Sequence, residues 1–334
     1  MKVLFDCPMP FQLAHGGIEV QINQTKRALE SIGIEVDWLR WWDPDQQADI
    51  IHFFSRPSAE YIQLAQRKKI RVVVAELLTG LGSRSASARA LQKLGIALLP
   101  RMLPGEFSAR MGWRSFGLAD ACVALTAWEA QLMIEIFGAP PERVHVVPNG
   151  VEEVFLQAPA QERGPWLVCT ATITPRKRVL EAAEAAVAAG TPLWIIGRPY
   201  SDTDEYGRRF VELARRHPSI LRYEGAISDR AKLAEIYRSA RGFVLLSNME
   251  SLSLSALEAA ACGCPLLLSD LPWARTTFAS SASYTAITPL ENVAKDLAAF
   301  YEKALQLPAP PLPASWKDVA QMLKKLYEGL LGAF

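Results

Sequence analysis

The sequence has almost no net charge, few cysteines and no long hydrophobic run. Its 334 residues include 36 basic and 35 acidic side chains, for a formal net charge of +1. This balance favours neither a nucleic-acid binder nor a protein that collects acidic ligands. The five cysteines are odd in number and scattered along the chain. They predict a reducing compartment and no disulfide framework.

No apolar run reaches the ~20 residues that a transmembrane helix needs. The first ten residues, MKVLFDCPMP, contain one lysine and a short apolar run before two prolines. This segment is too short for a signal peptide and predicts a first strand. We therefore expect a cytoplasmic protein, with contact at the inner face of the membrane left open.

Half of the residues are hydrophobic, which is enough for two domains. Short apolar runs alternate with longer amphipathic segments. The predicted strands are residues 3–7, 36–42, 49–54, 71–77, 121–126, 144–148, 166–172, 192–197, 220–225, 242–247, 265–270 and 283–287. Near-continuous runs of Val, Ile and Leu are typical of strands buried on both faces. The alternation therefore predicts an α/β fold with parallel sheets covered by helices.

A polar segment rich in Pro, Gln and Ala at residues 156–165 predicts a linker between two domains. We place a Rossmann-like first domain at 1–157 and a second at 158–315. A Pro-rich segment then leads to an amphipathic helix, which is expected to rejoin the first domain as part of residues 316–334. Two such domains place a ligand in a cleft, at the C-terminal ends of their strands.

The most informative stretch is MESLSLSALEAAACGCP, residues 249–265. Ser253 is a good helix N-cap, and the small residues after it favour a helix. Glu250 then precedes the helix N-terminus, which is an anion site, and Glu258 lies within the helix. Carboxylates on both sides of a phosphate suit the hydroxyls of a nucleotide sugar. The alternative is that both are surface acids favoured by the helix dipole.

Five segments along the chain support the first alternative. They are HGGIEVQ (15–21), PNGV (148–151), TPRKR (174–178), YEGAIS (223–228) and the E-x7-E pattern from Glu250 to Glu258. Together they resemble the retaining nucleotide-sugar glycosyltransferases of family 4. That family has the GT-B architecture, in which two Rossmann-like, doubly wound domains face a cleft and a C-terminal helix crosses back.

The resemblance implies roles for individual residues. Lys177 pairs with the diphosphate, Glu250 holds a sugar hydroxyl, and Glu258 holds the ribose; Glu250 and Lys177 are the predicted catalytic residues. The remaining implied donor contacts are Gly16, Gly17, Arg176, Ser251, Leu252 and Ser253. The resemblance also implies a UDP-, GDP- or ADP-sugar substrate, no cofactor and no metal. The implied acceptor is a glycan or a lipid-linked molecule, and no nucleic acid is expected.

The sequence departs from the family pattern at two positions. Thr172 stands where the family usually has an arginine, and either Arg176 or Arg178 could supply that charge. Leu77 lies where the family commonly has a histidine, and Glu76 is the nearest polar candidate. The leaving diphosphate can itself take the acceptor proton in a front-face retaining reaction, so the missing histidine need not abolish catalysis.

Two histidines are, together with Glu76, the candidates for the acceptor side. His15 precedes the glycines of the first loop. His52 lies near the end of a predicted strand, where it could contact a ligand. The alternative is that His52 is a half-buried histidine with a backbone partner.

Residues 80–119 contain six basic residues and one acidic residue, a net charge of +5, interleaved with apolar residues. This pattern predicts either contact with an anionic membrane or lipid-linked acceptor, or a helical insertion with solvated arginines. Two D-x-D triplets, at 43–45 and 202–204, lie in polar turns and are interpreted as turn and cap acids rather than metal ligands.

We therefore predict a metal-independent retaining glycosyltransferase. Two alternatives remain: a catalytically impaired nucleotide-sugar-binding protein, suggested by the missing histidine, and a GT-B-type sugar-nucleotide epimerase.

Overall fold

The computed structural model describes residues 1–11, 16–102, 112–157 and 161–332. The chain divides into two compact units, Met1–Asn149 with Trp316–Phe334 and Gly150–Ser315, here called unit 1 and unit 2. The division at Asn149 precedes the boundary at 157 expected from linker composition. The reason is that the segment after Asn149 already packs in unit 2, where the ring of Phe155 lies 6.0 Å from that of Tyr237.

Unit 1 is a six-stranded parallel sheet with strand order β2-β1-β3-β4-β5-β6. Its strands are β1 (Lys2–Asp6), β2 (Glu35–Trp38), β3 (Ile50–Phe53), β4 (Arg71–Val74), β5 (Ala121–Ala124) and β6 (Val144–Val146). Its helices are α1 (Gly17–Ser31), α2 (Ala59–Arg67), α3 (Thr79–Gly82), α4 (Ala86–Met102), α5 (Ser115–Leu118) and α6 (Ala127–Phe137). A final helix, Trp316–Gly332, completes the unit and packs on α1.

Unit 2 is also a six-stranded parallel sheet, with strand order β12-β11-β10-β7-β8-β9. Its strands are β7 (Leu167–Thr170), β8 (Leu193–Ile196), β9 (Leu221–Tyr223), β10 (Gly242–Leu245), β11 (Leu266–Ser269) and β12 (Ser283–Thr285). Its helices are α7 (Glu153–Leu156), α8 (Val179–Ala189), α9 (Glu205–Arg216), α10 (Arg230–Ser239), α11 (Leu254–Ala261), α12 (Pro272–Phe278) and α13 (Leu290–Lys303); the final helix of unit 1 is therefore α14.

The buried strands explain the apolar runs of the sequence. All four residues of β3, β5, β8, β10 and β11 are buried, because helices cover both faces of each sheet. The predicted α/β class, with two doubly wound parallel sheets and a returning C-terminal helix, is confirmed. Among the described residues, no helix has the length and hydropathy that a membrane crossing requires.

Several predicted strands end too late. The second was expected to reach Trp42 and ends at Trp38, and the fourth was expected to reach Leu77 and ends at Val74. The apolar residues beyond these ends lie in loops at the C-terminal edge of the sheet. Sequence hydrophobicity cannot distinguish such residues from strand residues, because both contain the same side-chain types.

Candidate active site

The two segments that were predicted to bind the donor are neighbours in unit 2. Residues 171–178 follow β7, and residues 246–253 follow β10, the strand paired with β7. The carboxyl ends of parallel neighbours lie at the same edge of a sheet, which brings these loops together. The backbone N–H of Asn248 donates to the carbonyl of Arg176 at 3.0 Å and joins the two loops directly.

Glu250 is the meeting point of two cations. Its Oε1 accepts from Lys177 Nζ at 2.5 Å and from Arg176 Nη1 at 3.1 Å. Glu250 is 8% exposed. The Arg176 guanidinium also donates to the carbonyl of Met249 at 3.1 Å. Two cations face one carboxylate, so this cluster carries an excess positive charge.

The structure also separates the two candidate arginines of the basic triplet. Arg178 takes the left-handed conformation, with φ 52°, and its Nη2 donates to the carbonyl of Ile287 at 2.8 Å. It also lies 3.7 Å from Glu181. Arg176, by contrast, shares Glu250 with Lys177. Arg176 is therefore the arginine that could compensate for Thr172 beside Lys177.

Helix α11 begins at this cluster. Ser253 caps it, since its hydroxyl accepts from the backbone N–H of Ala256 at 3.4 Å, as the sequence predicts. Ser251, Leu252 and Ser253 are all buried. The start of a helix carries a partial positive charge, which adds to that of Arg176 and Lys177.

Glu258 lies farther along α11 and has a separate partner. Its Oε1 accepts from Arg230 Nη2, and the Nε of the same guanidinium donates to Glu152 at 2.7 Å. The guanidinium also lies over the ring of Phe155 at 4.7 Å. Burial raises the pKa of the Glu258 carboxyl, while Arg230 opposes that rise. Burial lowers the pKa of Arg230, but Glu258 and Glu152 more than compensate, so its pKa is raised.

Arg230 and Glu152 were not anticipated from the sequence. They are 28 and 106 positions from Glu258, as the residue numbers show, so no local pattern connects them to it. One signal was available, however. Arg230 is the first residue of α10, directly after the N-cap Asp229, where a cation opposes the helix dipole. A cation at such a position predicts a nearby carboxylate.

The first glycine loop of unit 1 opens helix α1. Gly16 is the N-cap of α1 with φ 151°, a conformation that favours glycine, and Gly17 is the first helical residue. The carbonyl of Gly16 accepts from the backbone N–H of Val20 at 3.2 Å. His15, the predicted site residue before them, lies outside the described residues, as do residues 103–111 of the basic segment.

His52 lies in the core of unit 1. It is 1% exposed, its Nδ1 is 2.6 Å from the hydroxyl of Tyr327, and its ring stacks on Phe54 with centroids 4.4 Å apart. The expected half-buried histidine with a backbone partner is therefore fully buried, and its partner is a side chain of α14. Burial lowers the pKa of His52 to about 3.

Glu76 is held by an arginine. Arg56 donates to it twice, from Nε at 2.6 Å and from Nη2 at 3.0 Å. Burial raises the pKa of the Glu76 carboxyl despite this pairing. The guanidinium in turn lies 4.4 Å from the centroid of the Phe137 ring. Glu76 therefore forms part of a packed ion pair near Leu77.

The D-x-D triplets have structural partners. Asp204 caps α9 by accepting from the backbone N–H of Gly207 at 3.2 Å, and Asp43 pairs with Arg40 at 3.0 Å. Within the described ranges, no three His, Cys, Asp or Glu side chains converge in a way that could hold a metal ion.

In comparisons with known proteins, each unit matches a glycosyltransferase family. Residues 36–150 match the family described as "Glycosyl transferase 4-like domain", and residues 164–307 match "Glycosyl transferases group 1". A curated relative, the D-inositol 3-phosphate glycosyltransferase of Acidothermus cellulolyticus, is 29% identical over 45% of this chain. The match spans only 38% of that relative's length.

Solved structures share the fold of the whole chain. Sucrose-phosphate synthase from Thermosynechococcus elongatus superposes with a TM-score of 0.70 and 18% identity, covering 100% of both chains. HepE from Anabaena, solved in complex with UDP and glucose, gives a TM-score of 0.64 and 13% identity over 99% of this chain and 100% of its own. The two domain matches, the motif spacing and this shared fold lead to one conclusion: the chain belongs to the family 4 type of glycosyltransferases with the GT-B fold.

Proposed function

We propose that this protein is a retaining glycosyltransferase that transfers a sugar from a nucleoside-diphosphate donor to a glycan or lipid-linked acceptor. The observation that carries the proposal is the convergence of Arg176, Lys177 and Glu250 at the N-terminus of α11, with Glu258 in the same helix. A shared carboxylate between two cations, next to a helix start, suits a ligand that brings both phosphates and hydroxyls.

In this proposal the two cations change partners when the donor binds. Lys177 and Arg176 turn from Glu250 toward the diphosphate, whose oxygens carry more negative charge than a single carboxylate. Glu250, released from the cations, accepts a hydrogen bond from a sugar hydroxyl. The N-terminus of α11 adds backbone N–H groups on the phosphate side.

Glu258 would hold the ribose, and Arg230 would fix the Glu258 carboxylate for that role. The carboxylate is pinned on one side by Arg230, which itself is fixed by Glu152 and Phe155. A preorganised acceptor loses less conformational entropy when the ribose binds.

Charge stabilisation would supply most of the catalysis in this proposal. The cations and the helix start stabilise the diphosphate as negative charge develops on it, and the departing phosphate oxygen takes the proton of the acceptor hydroxyl. No separate general base is then needed where Leu77 replaces the family histidine and Glu76 is paired with Arg56.

Paired substitutions of the two glutamates test the proposal. Glu258→Gln should weaken free nucleoside diphosphate and nucleotide sugar by similar factors, because both contain the ribose. A hydrogen bond to a charged group contributes ~1.5–3 kcal/mol, which corresponds to about a tenfold to hundredfold change. Glu250→Gln should spare nucleoside diphosphate binding and reduce turnover, because its proposed partner is on the sugar.

Calorimetric titration with UDP, GDP and ADP, together with donor hydrolysis rates, would measure both effects. Equal loss of diphosphate binding in the two variants would show that the assignment of Glu250 to the sugar and Glu258 to the ribose is wrong. No effect in either variant would leave the pair with a purely structural role.

The same assays separate the remaining alternatives. A nucleotide-sugar-binding protein without activity would bind donor and release no free sugar. An epimerase would return a changed sugar still attached to the nucleotide.

A further inference from the structure

Two tryptophans project into solvent from the loop between β2 and β3. Trp41 is 85% exposed and Trp42 is 65% exposed. Their rings lie edge to face, with centroids 5.6 Å apart and an interplanar angle of 89°. Exposing two indoles is unfavourable in water, and neighbouring exposed aromatic groups of this kind mark interaction sites.

The loop that carries them is tied together by its own side chains. Gln46 accepts from the backbone N–H of Arg40 at 2.8 Å and donates to the carbonyl of Trp38 at 2.9 Å. The Arg40 guanidinium donates to Asp43 at 3.0 Å and to Asp37 at 2.5 Å. These bonds close the base of the loop and hold its tip, residues 41–42, in place.

The base of the loop is also packed from within unit 1. Trp38, the last residue of β2, contacts the rings of Phe5 and Phe11 at centroid distances of 6.3 and 5.6 Å. The two exposed indoles therefore stand on a supported aromatic base. A rigid surface binds a ligand with a smaller entropic cost than a mobile loop does.

The position of the loop fits a substrate site. β2 pairs in parallel with β1, and the loop after β1 leads to Gly16 and helix α1. Trp41 and Trp42 come just after the end of β2, so they lie with the loop after β1 at the C-terminal edge of the sheet, where open α/β folds bind their ligands. Met9, in the loop after β1, is 52% exposed and adds apolar surface at this edge.

The net charge of the loop indicates which kind of ligand the exposed tryptophans can bind. Residues 37–46, which run from the end of β2 and carry the two indoles, contain three aspartates and one arginine, a net charge of −2. An anionic membrane surface attracts basic segments and would repel this one. A neutral carbohydrate has apolar C–H faces that can stack on indole rings and hydroxyls that can bond to the neighbouring carboxylates and amides.

We propose that Trp41 and Trp42 form a stacking platform for a neutral carbohydrate acceptor. This assignment rests on the proposed glycosyl transfer, and it specifies that the acceptor is a glycan. The sugar rings pack on the indoles at the edge of unit 1, while the donor occupies the cluster around Glu250 in unit 2.

The test uses an array of immobilised neutral di- to hexasaccharides, probed with fluorescently labelled protein, followed by titration with the best free oligosaccharide. We expect the wild-type chain to bind and the double variant Trp41→Ala/Trp42→Ala to bind about tenfold more weakly or worse. Trp41→Phe keeps an aromatic face and should retain most of the affinity.

Leu312→Ala is the matched control. Leu312 is 69% exposed and lies in unit 2, so it reports the general effect of removing an exposed apolar side chain. We expect it to bind glycans as the wild type does. Thermal melting of every variant identifies any loss of folding, and the two single alanine variants replace the double variant if it fails to fold.

Three results would overturn the platform. The first is that the wild-type chain binds no glycan of the array, and the second is that the double variant binds glycans as well as the wild type does. The third is that the double variant loses binding to lipid vesicles and not to glycans. The vesicle assay uses phosphatidylcholine with and without phosphatidylglycerol. Donor binding is measured separately, by thermal shift with UDP-, GDP- and ADP-sugars. Failure of donor binding would refute the proposed transfer while leaving Trp-dependent glycan binding intact.

Discussion

Lys177 shows how one side chain connects the sequence motif to the proposed chemistry. Its side chain is 13% exposed, and its ammonium group is bonded to Glu250 at 2.5 Å. A lysine so placed is already desolvated and aimed at the N-terminus of α11. In the proposed function, Lys177 exchanges this carboxylate for the diphosphate of the donor.

Lys177→Ala should weaken nucleoside diphosphate by about tenfold to hundredfold, since a charge-assisted bond contributes ~1.5–3 kcal/mol. The free nucleoside, which has no phosphate, should lose little affinity. Titration calorimetry with UDP, GDP and ADP and with the corresponding nucleosides measures the difference.

Arg178→Ala is the control for that variant. Arg178 is adjacent in sequence, but its guanidinium is turned to Ile287 and Glu181. We expect it to alter stability more than diphosphate affinity. Equal losses for diphosphate and nucleoside in Lys177→Ala would exclude contact between Lys177 and the phosphates.

The sequence predicted the members of the candidate site better than their contacts. The pattern around residues 249–265 identified Glu250, Glu258 and the N-cap Ser253. It could not show that Arg176 rather than Arg178 shares Glu250, because both flank Lys177 and only the left-handed backbone at Arg178 separates them. Nor could it show Arg230, which reaches Glu258 through the packing of α10 beside α11.

At the scale of secondary structure, Gly197 holds two strand ends of unit 2 together. It follows β8 with φ 155°, and its N–H donates to the carbonyl of Gly225 at 3.0 Å. A Cβ at this position would lie 1.9 Å from the carbonyl oxygen of Ala171, directly after β7. This close approach sets the start of the loop that carries Arg176 and Lys177.

Gly197→Ala should therefore destabilise unit 2 by about 3 kcal/mol or more, because the backbone at Ala171 or Gly197 must move. It should also weaken nucleoside diphosphate by displacing the loop after β7. Denaturant unfolding and calorimetric titration measure the two effects.

Gly329→Ala supplies the comparison. Gly329 lies within α14, and a Cβ added there would have no heavy atom of the described residues within 4 Å beyond its own helix backbone and chain neighbours. Alanine at this position should stabilise the helix by up to about 1 kcal/mol. A Gly197 variant as stable as the wild type would show that the strand ends adjust without cost.

The strands were the most predictable elements, since all twelve coincide with apolar runs in the sequence. The residues at which they end were not predictable. Apolar residues also occur in the loops that follow strands at the C-terminal edge of a sheet. Trp41 and Trp42 were the last residues of the predicted second strand, yet they are exposed in the loop after β2. The sequence pattern predicted a helix at α4 only as one of two alternatives for residues 80–119, and it did not predict α12, which begins at Pro272.

At the scale of the whole molecule, the final helix makes the fold of unit 1 depend on the end of the chain. The bond between His52 and Tyr327 joins residues 275 positions apart. The histidine is neutral in the folded state because burial lowers its pKa to about 3, from 6.5. Unfolding exposes it and lets it take up a proton below pH 6.5.

Acid should therefore destabilise unit 1 through His52. Between pH 6.5 and about 3, the unfolded state binds one more proton at this residue than the folded state does. The contribution to the free energy of unfolding is intact above pH 6.5 and falls by about 1.4 kcal/mol per pH unit below it.

His52→Gln removes this titration. The stability difference between wild type and variant should shrink as the pH falls from 7 to 5, as followed by denaturant unfolding. Tyr327→Phe keeps the histidine buried and removes only the hydroxyl, so it should retain the wild-type pH slope. Parallel curves for the wild type and His52→Gln would show that His52 does not control the acid response.

The two points where the chain passes between units lie side by side. Val151 forms a parallel bridge with Ser315, and its N–H donates to the carbonyl of Ala314 at 2.9 Å. Asn149 and Trp316 likewise line one cavity of unit 1. Unit 2 is thus an insertion whose two ends meet. Excising it requires only a short closing peptide in unit 1, with a small loop-closure entropy. Under the proposed function, a corresponding domain from another glycosyltransferase, grafted between Asn149 and Trp316, would change the donor preference and keep the acceptor preference of unit 1.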